Sequence, residues 1–307
     1  MPPSRFFING LLVAVVLALA ACSRSERRNQ STEIPTATAI ETVTSYAPGD
    51  YLEDILVNGQ VRQYRLHIPP AYKGNPVPLV INLHGYNSNA EQQERVSQMS
   101  VKADQMGFIV VHPEGLGSPQ SWHVGPRAEA DADLQFIRDL LRHLQSQFNI
   151  DHARIYATGI SNGAQMTNRL GCEMSDVFAA IAPVSGGYPP SQECRPTRPV
   201  PIVAFHGTAD KLIPYEGQGR LLLPAREWAT AWANRDGCNP TPTVTFQHGE
   251  VIGETWNNCQ EGAEVVLYTI HGRGHSWPGS DMPPEITTQD INATDVIWKF
   301  FEAHPMP

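Results

Sequence analysis

Arg154-Ile155-Tyr156-Ala157-Thr158-Gly159-Ile160-Ser161-Asn162-Gly163 carries both the fold class and the first hint of chemistry. Arg154 to Thr158 reads as a short strand, and a helix is predicted from Gly163 to about Cys172. Between them lies Gly159-Ile160-Ser161-Asn162-Gly163, a G-x-S-x-G sequence. A sharp strand-to-helix turn lifts a serine hydroxyl clear of a sheet edge, and glycines on both sides admit the crowded backbone. The amino end of the following helix then faces the point where negative charge would develop. With Gly and Ser each near ~7% of residues, chance supplies roughly 0.1 such matches in a chain of this size. The pattern therefore draws its weight from its surroundings.

Those surroundings alternate between strands and helices. Upstream, Asn58-Gly59 separates Asp54 to Val57 from Val61 to Ile68, a strong hairpin signal. Pro78 to His84 and Gly107 to His112 are continuous apolar runs, as strands buried on both faces require. A helical stretch is predicted from Ala90 to Gln105. Another carries Leu134, Ile137, Leu141, Leu144 and Phe148 at three- and four-residue steps, opened by Asp131 and Asp133. Downstream, Ala179 to Val184, Ile202 to His206 and Glu264 to Ile270 read as strands, and Glu227 to Arg235 as a helix. Ala293 to Ala303 reads as a closing helix with Val296, Ile297, Phe300 and Phe301 inward. Such alternation implies an α/β fold, a mostly parallel central sheet with helices on both faces.

A serine hydroxyl is a weak nucleophile until an imidazole takes its proton, and that imidazole needs a carboxylate to fix its tautomer. In α/β-hydrolases the order along the chain is Ser, then Asp or Glu, then His, each partner on a loop after a strand. Asp210 follows Ile202 to His206, and His275 follows Glu264 to Ile270, so both stand in that order and location. Asp236 and His271 are the rivals; the first lies beside a cysteine-bearing loop and the second still belongs to a strand end. Two backbone N–H groups should receive the oxyanion: that of Asn162, directly after the serine, and that of Tyr86, where Gly85 lets the backbone turn inward. His84 reads as a buried histidine with a backbone partner.

LHGYNSN (83–89), HPEG (112–115) with the later Trp122, GISNGA (159–164), FHGTADKLIPY (205–215) and GRGHSWPG (272–279) occur in that order. Together they resemble the secreted esterase family of poly(3-hydroxybutyrate) depolymerases, feruloyl esterases and acetylxylan esterases, over essentially everything from Tyr51 onward. The resemblance implies an α/β-hydrolase fold with Ser161 as nucleophile, Asp210 and His275 as its partners, and Tyr86 and Asn162 as oxyanion donors. It further assigns Trp277 and Trp122 to the substrate pocket. No cofactor or metal is implied. Many relatives carry Cys where this chain has Tyr86; the backbone donor survives that change. No polymer-binding module and no long apolar lid are found, which favours feruloyl or acetyl esters of plant polysaccharide, then short 3-hydroxyalkanoate oligomers. An acyltransferase using the same three residues and a non-catalytic binding lipoprotein are the alternatives.

The front of the chain has a different character. Arg5 and the apolar run Leu11 to Leu19 form a secretory signal closing on Leu19-Ala20-Ala21-Cys22. That ending resembles a bacterial lipobox, which implies cleavage before Cys22, acylation of its thiol and attachment to a membrane. Residues 22–49 contain few core-forming side chains and read as a flexible tether, leaving 50–307 as the catalytic domain. Cys172, Cys194, Cys238 and Cys259 are an even set in an exported chain, which favours disulfides. Three pairings are possible; the sequential one closes two loops of ~20 residues. The formal charge is -9, with 22 Lys and Arg against 31 Asp and Glu, and without a basic patch nucleic acid is excluded as a partner. An extracytoplasmic location follows, either anchored or secreted.

Overall fold

The hairpin at Asn58-Gly59 opens the sheet in the computed structural model, which describes residues 46–125, 128–190 and 194–307. β1 (Gly49–Val57) and β2 (Gln60–Ile68) pair from Val57 opposite Gln60. Asn58 and Gly59 both take positive φ, 48° and 81°. That is the two-residue turn whose twist matches that of the strands it joins.

β3 (Val77–Leu83), β4 (Ile109–Pro113), β5 (Ile150–Ile160), β6 (Ala180–Val184) and β7 (Ile202–Gly207) follow, and then β8 (Thr243–His248), β9 (Val251–Trp256) and β10 (Val265–Ile270). They form one sheet in the order β1-β2-β4-β3-β5-β6-β7-β10-β9-β8. The six central strands, β4 to β10, are parallel, and the antiparallel pairs β1-β2 and β9-β8 flank them. Every residue of β3, β4, β6 and β7 is buried, the pattern of strands covered on both faces.

The helices are α1 (Ala90–Ser97), α2 (Met99–Met106), α3 (Ala128–Gln147), α4 (Asn162–Glu173), α5 (Ala225–Arg235) and α6 (Ala293–Ala303). Successive residues of a strand feed two separate cores. Leu79 and Ile81 of β3, with Ile202 and Ala204 of β7, meet Ile137 and Leu141 of α3, Met166 and Leu170 of α4, and Trp228 and Trp232 of α5. Val80, Val203 and Phe205 point the other way, toward Met99 and Ala103 of α2 and Ile297, Phe300 and Phe301 of α6. All the described residues fall within one unit, Val43–Pro307.

Several sequence expectations change. The single helix from Ala90 to Gln105 is two helices, because Gln98 sits at φ 54° and its N–H closes α1 on Glu94. Asp133 does more than complement a helix dipole: it is buried and bonded to Arg62 at 2.9 Å. The inward face of α6 includes Trp298, while Val296 is half-buried. The β8–β9 hairpin is absent from the sequence expectations; β8 is exposed along nearly its whole length and carries only Val244 and Phe246 in alternation. The cysteines pair sequentially, Cys172 with Cys194 and Cys238 with Cys259. The signal segment, Cys22 and the tether up to residue 45 lie outside the described residues.

Candidate active site

Because β3, β5, β6, β7 and β10 run the same way, the segments that follow them share one edge of the sheet. Tyr86, Ser161, Ser185, Asp210 and His275 all stand on such segments. Carboxyl-end edges are where open α/β sheets bind ligands.

Ser161 has φ 59° and ψ −119°, outside the ordinary regions for a side-chain-bearing residue. Strain of this kind costs about 1–3 kcal/mol and persists only where the neighbours enforce it. They do so here. The Ser161 N–H donates to Val184 O at 2.9 Å, and its carbonyl accepts from Gln165 to start α4. A Cβ on Gly159 would lie 2.6 Å from Leu83 O, and one on Gly163 would collide with the same atom. Both glycines of G-x-S-x-G are thus required by the close approach of β3.

Asp210 is buried, and its two carboxylate oxygens are fully employed. Oδ1 accepts from the N–H groups of Leu212 and Ile213, each at 2.9 Å, and Oδ2 faces His275 Nδ1 at 2.7 Å. Burial alone would raise its pKa. The hydrogen bond and charge of His275, with the Ile213 amide, outweigh burial and hold the carboxyl below its usual range. An ionised carboxylate only accepts, so Nδ1 of His275 carries the proton and Nε2 is left as the basic nitrogen. The loop bearing His275 is clamped to the end of β7 by Thr208 N–H on Ile270 O (2.9 Å) and Ala209 N–H on Arg273 O (2.8 Å). A Cβ on Gly207 would strike Arg273 O, so that residue too is fixed by close approach.

The rivals are elsewhere. His271 is exposed at the end of β10. Asp236 caps α5 and accepts from Val200 N–H at 3.2 Å, ahead of β7 and therefore at the opposite edge.

Neither the Tyr86 nor the Asn162 amide has a protein acceptor among the described residues, as two oxyanion donors should not. Tyr86 itself is exposed. A Cβ on Gly85 would sit 3.4 Å from Ser161 Cβ, so the Tyr86 peptide adjoins the serine. The Asn162 side chain is held twice by Trp122, accepting its N–H at 2.6 Å and donating to its carbonyl at 3.0 Å.

The two tryptophans expected at a substrate pocket are both buried. Trp122 is 2% exposed, stacks near Phe136 and gives its indole N–H to His84 O at 3.0 Å. Trp277 is 1% exposed, packs in the α6 core and donates to Thr294 Oγ1 at 2.9 Å. Large rings with an indole donor are stable in a core once that donor is satisfied. Two residues the sequence reading passed over belong at this edge. Ser185, at φ 49°, donates its hydroxyl to Ser276 O at 3.3 Å. His206 is buried 3.6 Å from Asp210 Oδ2 and bonds Ile213 O at 2.8 Å, tightening the turn around the carboxylate. The only signals for them were a Ser before Gly186-Gly187 at a strand end and a His inside a strand.

Among the described residues, one group could surround a cation: Asp50, His67 and Glu94, on β1, β2 and α1. His67 there lies between Asp50 (2.6 Å) and Asp104 (2.8 Å), so both of its ring nitrogens already have protein partners.

The chain is 30% identical to NocK of Nocardia uniformis subsp. tsuyamanensis, which is named as an esterase, over 90% of both chains. Residues 62–189 match the family described as Esterase PHB depolymerase. The chain belongs to that family. The matched stretch contains Tyr86, Ser161 and Asn162 and ends before Asp210 and His275, whose association is a matter of geometry. Feruloyl esterase B of Piromyces equi is 35% identical over 70% of this chain, which spans 42% of that relative's length. Among solved structures, an acetyl xylan esterase from Aspergillus awamori superposes with a TM-score of 0.61. It covers 82% of this chain and 99% of that one, and at 17% identity it speaks to the fold alone.

Proposed function

We propose that this family member hydrolyses carboxylic esters through an acyl-enzyme on Ser161. The observation that carries the reading is the 2.7 Å pair of His275 Nδ1 and Asp210 Oδ2, on the same sheet edge as the strained Ser161 turn. Ser161 Oγ attacks the ester carbonyl while His275 Nε2 takes its proton. Asp210, ionised and fully hydrogen-bonded, steadies the imidazolium that forms. The oxygen of the tetrahedral intermediate lies between the Tyr86 and Asn162 amides, and one such donor is typically worth ~3–4 kcal/mol. His275 returns the proton to the departing alcohol, and a water activated by the same nitrogen releases the acid.

Acetyl and feruloyl esters of plant polysaccharide are the first substrates we propose, in line with the names of its relatives, and short 3-hydroxyalkanoate oligomers are the second. Rates on acetylated xylan, methyl ferulate and a 3-hydroxybutyrate trimer separate them. Ser161→Ala should remove p-nitrophenyl acetate hydrolysis, by about 10⁴-fold or more, with the fold intact. Turnover equal to wild type would sink the assignment.

We further propose that residues 1–21 direct export, that Cys22 is acylated, and that 22–49 tether the catalytic domain, 50–307, to a membrane. Two disulfides suit an oxidising compartment. Metabolic labelling with a fatty acid should mark the wild type and spare Cys22→Ala; equal labelling of both contradicts the anchor.

A further inference from the structure

The HPEG segment, His112 to Gly115, has no part in the acyl-transfer steps above, yet its glycine touches the histidine next to the oxyanion loop. His84 is wholly buried between that segment and Trp122. Its Nε2 accepts the Gly115 N–H at 2.8 Å, and its Nδ1 lies 2.7 Å from Gly85 O. An amide N–H can only donate and a carbonyl oxygen can only accept, so these partners fix the tautomer with the proton on Nδ1. Burial lowers the pKa of the ring, which keeps it neutral and keeps Nε2 an acceptor. Gly115 must be glycine for this contact, since a Cβ there would sit 2.6 Å from Ser121 O and 3.1 Å from His84 Nε2.

The consequence lies in the next peptide. Across a trans peptide the carbonyl and the following N–H point in opposite directions from one plane. Drawing Gly85 O toward the buried ring therefore turns the Tyr86 N–H the other way, away from the core, on the loop that adjoins Ser161. The Trp122 indole holds the preceding carbonyl, His84 O, at 3.0 Å, so the neighbouring His84–Gly85 peptide is held as well. We infer that His84 is a positioning residue of the oxyanion site, holding the Gly85–Tyr86 peptide in the orientation that stabilises the tetrahedral intermediate. This rests on the reading of Ser161 as nucleophile and of the Tyr86 amide as oxyanion donor.

The test compares wild type, Ser161→Ala, His84→Ala and His84→Asn on p-nitrophenyl acetate, with inhibition by an aryl trifluoromethyl ketone, which becomes an oxyanion on the serine. His84→Ala should lower kcat by about tenfold to a hundredfold with KM almost unchanged, and weaken the ketone by the same factor as kcat/KM. His84→Asn, whose amide N–H₂ can replace the Nδ1 donor, should restore most of the loss, which a general packing defect would not allow. Full kcat in His84→Ala, with Ser161→Ala inactive, overturns the inference while leaving the serine mechanism standing. Activity retained in Ser161→Ala overturns both. If the variants do not fold, nitrogen-15 NMR of the wild type decides. The Nδ1-protonated tautomer and a downfield move of the Tyr86 amide proton on ketone binding are expected. A proton on Nε2, or an unmoved Tyr86 amide, overturns it.

Discussion

The two edges of the central sheet are built on opposite terms. At the carboxyl edge, Ser161 and Ser185 are held at positive φ, and the Asp210 carboxylate is saturated with donors. Groups that would be costly alone are retained because each is fixed from several sides. At the amino edge, the last turn of α4 carries Cys172 and α5 ends shortly before Cys238, and both cysteines are in disulfides. There the buried Asp236 keeps one oxygen without a partner among the described residues. The length of α4, 12 residues or about 18 Å of helix, separates Ser161 from the first of these disulfides. One edge spends stability on geometry, and the other recovers some of it through covalent links. Activity and stability should then respond separately to changes at the two edges.

The largest expected effect is at the carboxyl edge. Asp210→Asn preserves shape but offers a different hydrogen-bonding partner to His275, and should cut kcat by about 10³- to 10⁴-fold. Its melting temperature should stay within a few degrees of wild type. A loss of less than about tenfold would mean that His275 does not depend on this carboxylate.

The disulfides supply the reverse case. Replacing Cys172 and Cys194 together with serine should destabilise the protein by about 2–5 kcal/mol in denaturant unfolding. The kcat on p-nitrophenyl acetate at 25 °C should remain that of the wild type while the protein is folded. A matching fall in kcat would show that the two edges are coupled through α4.

A smaller, pH-dependent effect belongs to Asp236. Burial pushes its carboxyl up to about 7, with the Val200 N–H and the charges of Arg235 and Arg198 only partly opposing it. Its pKa is therefore higher folded than unfolded, where about 4 is usual. The native state prefers the protonated form, so this group's contribution is complete below pH ~4 and falls as pH rises toward 7. Asp236→Asn should remove that slope, amounting to a few kcal/mol at most, and leave the variant the more stable of the two at pH 8. Parallel stability curves for both proteins between pH 5 and 8 would refute the assignment.

The difference between the edges also tracks how much could be read from sequence. The parallel core was legible because β3, β6 and β7 are continuous apolar runs, and chain order alone pointed to Asp210 and His275, whose side chains meet at 2.7 Å. The break at Gln98 was not legible, since a left-handed glutamine in a helical stretch carries no compositional mark. Trp122 and Trp277 were ambiguous because tryptophan suits a pocket wall and a core equally well, and sequence does not carry the burial that both show. The roles of Ser185, His206 and His84 depend on which backbone group each ring or hydroxyl meets, and these partners are set by tertiary approach rather than local sequence.

The most direct test of the whole account is a crystal structure of the protein after reaction with an alkyl fluorophosphonate. The account predicts phosphorus bonded to Ser161 Oγ, with one phosphoryl oxygen about 2.7–3.1 Å from both the Tyr86 and Asn162 nitrogens and His275 Nε2 beside the adduct. An adduct on another residue, or a phosphoryl oxygen turned away from both amides, would contradict it.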